Sequence, residues 1–418
     1  MAKFLIEHTE KLAGKVTTQG AKNSALPILT ATLLCDGVCT IDNCPKLSDV
    51  SATLDILEDL GARASMEKNS AVINTSSTDG YKISKVMTSK MRSSILFLGA
   101  VAARFGKVEL CLPGGCKLGP RPINWHLEAL SNMGMQVECQ GDVLICAVDG
   151  GRFHGARLDL PLPSVGATEN IILAAVLAHG TTVLNNAARE PEICDLCEFL
   201  TECGAKINGA GQSQIEIVGV DNLHGARHEV ISDRIVAATF MVAAAAVGGN
   251  VLIEEVVPEH LQSVVEVLRE SGCTVVVGES SLRVVSDGTT RAMGRITTEP
   301  YPGFPTDAQA LFMMLASVSQ GETTFVENIF ANRYKHVTEL LKMGAEIKIS
   351  EKTAIVRGVR GLRGNDLFAS DLRSAAALTV AGLVAAGETT VRGLEYLDRG
   401  YEDFERKLMN LGAKIRRI

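Results

Sequence analysis

The sequence predicts an α/β repeat protein of two domains, each built from three related units of roughly 70 residues. Three observations carry this. A Leu-x-x-x-Gly segment followed by a short strand pattern recurs six times, at Leu57/Gly61, Leu130/Gly134, Leu200/Gly204, Leu268/Gly272, Leu340/Gly344 and Leu408/Gly412. The steps between these glycines are 73, 70, 68, 72 and 68 residues. A second set of glycines, Gly37, Gly106, Gly180, Gly249, Gly321 and Gly387, follows Ala-rich helical stretches and precedes β-type runs such as Val38-Cys39-Thr40-Ile41. Finally, 46% of the 418 residues are hydrophobic but only 4% aromatic, so a large core must be built from Ala, Val, Leu and Ile.

Each unit therefore reads helix, Gly, strand, helix, Gly, strand. The glycines suit the left-handed position just past a helix end. The Leu four residues earlier falls in the last helical turn, where it can pack on a sheet. No Pro- or Ser-rich linker separates the halves, so the repeat phase alone sets the boundary. It places a first domain at 22–231 and a second at 232–418, with 1–21 returning to the second.

Lys plus Arg number 41 against 48 Asp plus Glu, a net charge of −7. This argues against a general binder of nucleic acid or anionic membrane. Met1 to His8 lack the apolar core of a signal peptide, and the most apolar stretch, Ile235 to Val247, is too short to span a bilayer. A cytoplasmic protein is expected. The eleven cysteines are expected to be reduced and mostly buried. Cys194 and Cys197 form a CxxC, but Ile193, Leu196, Cys197 and Leu200 share one helical face and no further ligands complete a zinc set. The sequence holds no P-loop, no Gly-x-Gly-x-x-Gly and no His-Glu-x-x-His, so no cofactor and no metal are expected.

The residues at the start of each unit's first helix are informative. The second half places Asp233, Asp307 and Asp371 there, each preceded by Ser or Thr, as N-caps would be. The first half places Lys22 (with Asn23), Arg92 and Ser164. Lys and Arg oppose the helix macrodipole, but serve if the helix ends converge on a phosphate or carboxylate.

One unit breaks the pattern. Between its two glycines it measures 28 residues, where the others measure 23 to 25. The surplus lies in Leu112-Pro113-Gly114-Gly115-Cys116-Lys117-Leu118-Gly119-Pro120-Arg121-Pro122. A Gly/Pro-rich insertion on a regular scaffold is a candidate functional loop. Lys117 and Arg121 favour the thiolate of Cys116, the nucleophilic form.

Gly20-Ala21-Lys22-Asn23-Ser24-Ala25-Leu26-Pro27, the Pro-Gly-Gly-Cys loop with Arg121-Pro122, Tyr301 to Asp307, Asn328-Ile329-Phe330-x-Asn332-Arg333 and Asp398 to Glu402 together resemble the UDP-N-acetylglucosamine 1-carboxyvinyltransferase family over the whole chain. The resemblance implies two inside-out, barrel-like α/β domains of three βαβαββ-type units each. It implies enolpyruvyl transfer from phosphoenolpyruvate to the 3-OH of UDP-N-acetylglucosamine, releasing phosphate, as the first committed step of peptidoglycan synthesis. Carried over by position, Lys22, Asn23, Arg121 and Arg399 resemble the phosphoenolpyruvate site. Arg92, Arg121, Pro122, Ile123, Asn124, Trp125, Ser164, Asp307 and Ile329 resemble the UDP-sugar site. Cys116, Asp307 and Lys22 resemble the catalytic set. Cys116 would act as an acid, form an adduct with phosphoenolpyruvate and be alkylated by fosfomycin; Asp307 would be the base.

Two positions depart from the family's pattern. After Arg121-Pro122, where the family often has Asp-Leu-His, Ile123 here precedes Asn124-Trp125-His126, and Val236 stands where an acidic residue is usual. Two other functions remain on the sequence alone: the sister transfer to shikimate 3-phosphate, and a catalytically quiet UDP-sugar-binding paralogue.

Overall fold

A computed structural model of the chain describes residues 2–112 and 123–418. The described residues form two compact units, one of residues 2–19 with 232–418 and one of 20–112 with 123–231.

Each unit is a set of buried helices walled by four-stranded sheets. In the unit of residues 20–231 the inner helices are Lys22–Ala31, Phe97–Phe105 and Val165–Ala175. In the other they are Arg234–Val247, Gln309–Val318 and Leu372–Val384. These helices are apolar on nearly every face, the pattern of a helix surrounded by protein. From Ile235 to Val247 every side chain is buried. Small residues let the helices approach closely. Gly99 donates its backbone N–H to Asn170 Oδ1 at 2.8 Å, and a Cβ there would lie 2.6 Å from the Asn170 carbonyl oxygen.

Six sheets share one plan, and three examples fix it. Arg227–Glu229, Val38–Asp42, Ser70–Asn74 and Arg63–Glu67 lie in that order, with the first pair parallel and the others antiparallel. Arg295–Thr297, Glu322–Val326, Thr353–Arg357 and Glu346–Ser350 repeat it. In a third, Lys3–Glu7 is hydrogen-bonded between Glu388–Arg392 and Ile415–Arg417, antiparallel to both. Leu12–Thr17 pairs with Gly249–Glu254, in parallel. The apolar core divides into two clusters, one per unit.

The Leu-x-x-x-Gly repeat has a definite geometry. Gly61, Gly134, Gly204, Gly272, Gly344 and Gly412 all adopt positive φ, between 91° and 103°. In five of the six, the glycine N–H and the next residue's N–H bond back to the helix as a Schellman motif requires. The pair Gly61 N→Glu58 O and Ala62 N→Leu57 O, both 2.9 Å, is representative. In those five the Leu carbonyl accepts the outer bond, and the Leu side chain is wholly buried at all six positions.

The other glycine set needs correction. Only Gly106 caps its helix directly. After Val247 the cap is Gly248, and Gly249 already belongs to a strand. Gly37, Gly180, Gly321 and Gly387 take positive φ at the bend into the strand, after the helix has ended. Among the described residues, no helix is long and apolar enough to cross a membrane.

Candidate active site

In the unit of residues 20–231, Lys22 opens its helix behind Ala21, which offers no side-chain cap, and the first turn carries no acid. The charge is met from another helix: Asp49, in the first turn of Ser48–Asp59, lies 2.6 Å from Lys22 Nζ. Both side chains are largely buried, 10% and 3% exposed. The ion pair offsets part of the cost of burying both charges. Asn23 points to solvent, and Ser24 is buried. Three successive residues thus address three environments.

Ser24 opens a buried polar chain. Its hydroxyl donates to Asp195 Oδ2, Asp195 Oδ1 meets His228 Nε2 at 3.1 Å, and His228 Nδ1 meets Glu202 Oε2 at 2.9 Å. Burial pushes His228 down, but Asp195 and Glu202 together outweigh it and leave the imidazole above its ordinary value. A raised histidine contributes stability below its ordinary pKa of about 6.5 and loses it as pH rises through the folded value. The Tm difference between wild type and His228→Gln is therefore expected to narrow as pH climbs from about 6 to 8.5. A difference that stays constant across that range would refute the ion pair.

Ser164 caps Val165–Ala175, its hydroxyl accepting from Ala167 N at 3.4 Å. Asn124 and Trp125 begin the helix Asn124–Asn132 after Ile123. Trp125, Glu128, Asn132, Asp159 and Leu160 line a shallow pocket. Arg92 opens a short 3-10 turn, Arg92–Leu96; its side chain, with Cys116, Arg121 and Pro122, lies outside the described residues.

The unit of residues 2–19 and 232–418 holds the remaining candidates. Asp233 and Asp371 are N-caps, each accepting two backbone N–H bonds. Asp307 is not, so the capping account does not extend to it. It sits in a 3-10 turn, Thr306–Ala308, ahead of the helix Gln309–Val318, and that helix start has no side-chain cap. Its carboxylate is instead shared between two guanidiniums: Arg333 Nη2 at 2.5 Å from Oδ1 and Arg373 Nη2 at 2.6 Å from Oδ2. The arginine side chains are 4% and 5% exposed, that of Asp307 25%. Arg333 also donates twice to the Thr306 carbonyl. Burial opposes the Arg373 charge, but Asp307, Tyr401 and Asp233 outweigh it and hold the guanidinium ionised.

Buried Glu327 ties the neighbouring loop to this turn. Its Oε1 accepts from Ile329 N and Phe330 N at 2.8 and 3.0 Å, and its Oε2 accepts from Thr306 Oγ1 at 3.0 Å. Asp307 and Ile329 are therefore placed by one network, with Ile329 at the surface. Arg399 is half-buried in a loop pinned on both sides by Gln19, which donates to the Gly400 carbonyl and accepts from Glu402 N. Sequence reasoning missed Asp49, Glu327, Arg333 and Arg373 as site residues. Their one signal is charge at positions the structure buries.

Residues 6–408 match the family described as EPSP synthase (3-phosphoshikimate 1-carboxyvinyltransferase). The UDP-N-acetylglucosamine 1-carboxyvinyltransferase of Pseudoalteromonas atlantica is 45% identical over the full length of both chains. The chain belongs to the UDP-N-acetylglucosamine 1-carboxyvinyltransferase family. Another member, UDP-N-acetylglucosamine 1-carboxyvinyltransferase 2 of Caldanaerobacter subterraneus, is 44% identical, again over all of both chains. The enolpyruvyl transferase NikO from Streptomyces tendae shares the fold, with a TM-score of 0.90 at 24% identity, covering 100% of this chain and 98% of its own. EPSP synthase from Acinetobacter baumannii shares it at a TM-score of 0.76 and 21% identity, over the whole of both chains. The inside-out α/β architecture expected of the family is the one found.

Proposed function

We propose that this enzyme transfers the enolpyruvyl group of phosphoenolpyruvate to the 3-OH of UDP-N-acetylglucosamine and releases phosphate, serving peptidoglycan synthesis in the cytoplasm. The observation that carries this beyond family membership is the Asp307 carboxylate, held between Arg333 and Arg373.

The chemistry needs two proton movements. Addition of the sugar hydroxyl to C2 of phosphoenolpyruvate places a proton on the methylene carbon and removes one from the hydroxyl. Loss of phosphate from the resulting tetrahedral adduct returns a proton from the methyl carbon and regenerates the enol ether. Asp307 takes the hydroxyl proton. A carboxylate fixed by two guanidiniums cannot rotate away, so it is oriented before substrate arrives. Cys116 delivers the proton to carbon. Lys22, Asn23, Arg121 and Arg399 hold the phosphate and carboxylate of phosphoenolpyruvate. Arg92, Arg121, Pro122, Ile123, Asn124, Trp125, Ser164 and Ile329 receive the UDP-sugar. Fosfomycin alkylates Cys116. No nucleic acid or membrane takes part.

The test is phosphate release, with emission from Trp125, the single tryptophan, reporting nucleotide binding in the same preparation. Release that requires both substrates is expected. Release with shikimate 3-phosphate in place of the UDP-sugar would transfer the assignment to the sister reaction. A Trp125 response with no release would make the protein a quiet UDP-sugar binder.

A further inference from the structure

Eleven cysteines punctuate this chain, and three of them meet. Cys35 lies in the short strand Cys35–Asp36, Cys39 in Val38–Asp42, and Cys203 at the C-cap of Pro191–Glu202. Their sulfur atoms all lie within 4.8 Å of one another. All three residues are buried, at 0%, 1% and 0% exposure. Among the described residues no other three potential metal-ligating side chains converge in this way.

We propose that Cys35, Cys39 and Cys203 form a zinc site. Three thiolates around zinc, each sulfur roughly 2.3 Å from the ion, lie about 3.8–4.0 Å apart. The observed cluster needs a contraction of less than about 1 Å to reach that. Soft thiolate sets select zinc or Cu(I) over magnesium, calcium or manganese. Zinc with three thiolates leaves one net negative charge where Cu(I) leaves two, and the lower charge suits a buried site.

One neighbouring residue favours a ligand over apolar filling. His224 stands beside the three cysteines: its backbone N–H donates to the Cys203 carbonyl at 2.9 Å, and its strand pairs with that of Cys35. His224 Nδ1 lies 3.1 Å from the Gly225 carbonyl. That oxygen only accepts, so Nδ1 is the donor; in a neutral ring this puts the lone pair on Nε2, the tautomer of metal-binding histidines. Small apolar side chains would fill the same space with no polar atoms converging.

On binding, three sulfur–zinc bonds form, three S–H bonds break with their protons passing to solvent, and the fourth position is left to His224 or water. The ion would staple the end of one helix to two strands, so it should enter during folding.

The full-length chain, reduced and stripped by a chelator, is refolded with equimolar zinc or cobalt chloride and freed of loose metal. One zinc per chain is expected, with a sulfur-to-cobalt charge-transfer band in the cobalt form and a Tm increase of about 5 °C at a roughly hundredfold excess over Kd. Cys39→Ala and Cys203→Ala should each lose the metal and the band, whereas Cys146→Ala and Cys116→Ser should keep both. Retention in both of the first two variants would overturn the proposal. Should those variants fail to fold, wild type alone decides: a folded chain with no retained zinc and no charge-transfer band overturns it.

Discussion

Replacing Asp307 with asparagine is expected to cut phosphate release by about 10²–10⁴-fold, the usual contribution of a positioned general base. The reason is local. Asparagine preserves the shape of the side chain and one acceptor oxygen, but it takes no proton from the sugar hydroxyl and presents an amide to one guanidinium. Alanine at the same position is expected to behave differently. It would leave Arg333 and Arg373, both nearly inaccessible to water, without the carboxylate they share. Two atoms of Arg373, Nε and Nη1, already have no hydrogen-bond partner among the described residues. Removing one member of a buried ion pair costs about 3–5 kcal/mol. The asparagine variant should therefore separate chemistry from folding, and the alanine variant should lose both. Steady-state phosphate release alongside thermal denaturation reads the two effects independently. An asparagine variant with full turnover would remove Asp307 from the reaction while leaving its structural place intact.

The second large effect is expected at Cys116. Cys116→Ser should lower phosphate release by about 10²–10⁴-fold. A thiol titrates near 8.5 in water, so it is acidic enough to protonate a carbon atom at neutral pH. A serine hydroxyl of nearly the same size is a far weaker acid. The same substitution should abolish alkylation by fosfomycin, visible as the loss of one inhibitor mass from the intact protein. Release that survives the mutation would leave the overall reaction in place and move Cys116 to a role in product release. Alkylation that survives it would place the reactive thiol elsewhere among the remaining cysteines.

Legibility in the sequence followed the physics of each feature. The Leu-x-x-x-Gly periodicity was readable because a Schellman turn makes two local demands, a residue free to take positive φ and a buried side chain in the last helical turn. Both are written within five consecutive residues. The boundary at Gly248 was blurred because two adjacent glycines satisfy the same local rule, and only strand pairing decides between them. Lys22 stood out because a cation at a helix start contradicts the dipole. Its partner Asp49 did not, since an acid in the first turn of a helix is ordinary. Asp307 looked like its counterparts Asp233 and Asp371, and only tertiary structure reveals that its carboxylate turns to arginines 26 and 66 residues away. The three-cysteine cluster was invisible for the same reason: its third member comes from another unit of the repeat.

The placement of the first strands carries a consequence for synthesis. Among the described residues, the sheets of 20–112 and 123–231 draw only on strands of that half. That half can complete itself while the ribosome is still making the remainder. The other half cannot, because Lys3–Glu7 must wait for Glu388–Arg392 and Ile415–Arg417 to emerge. Lys3–Glu7 thus stay unpaired through the synthesis of the 380 residues between Glu7 and Glu388, and their sheet closes only once Ile415–Arg417 have emerged.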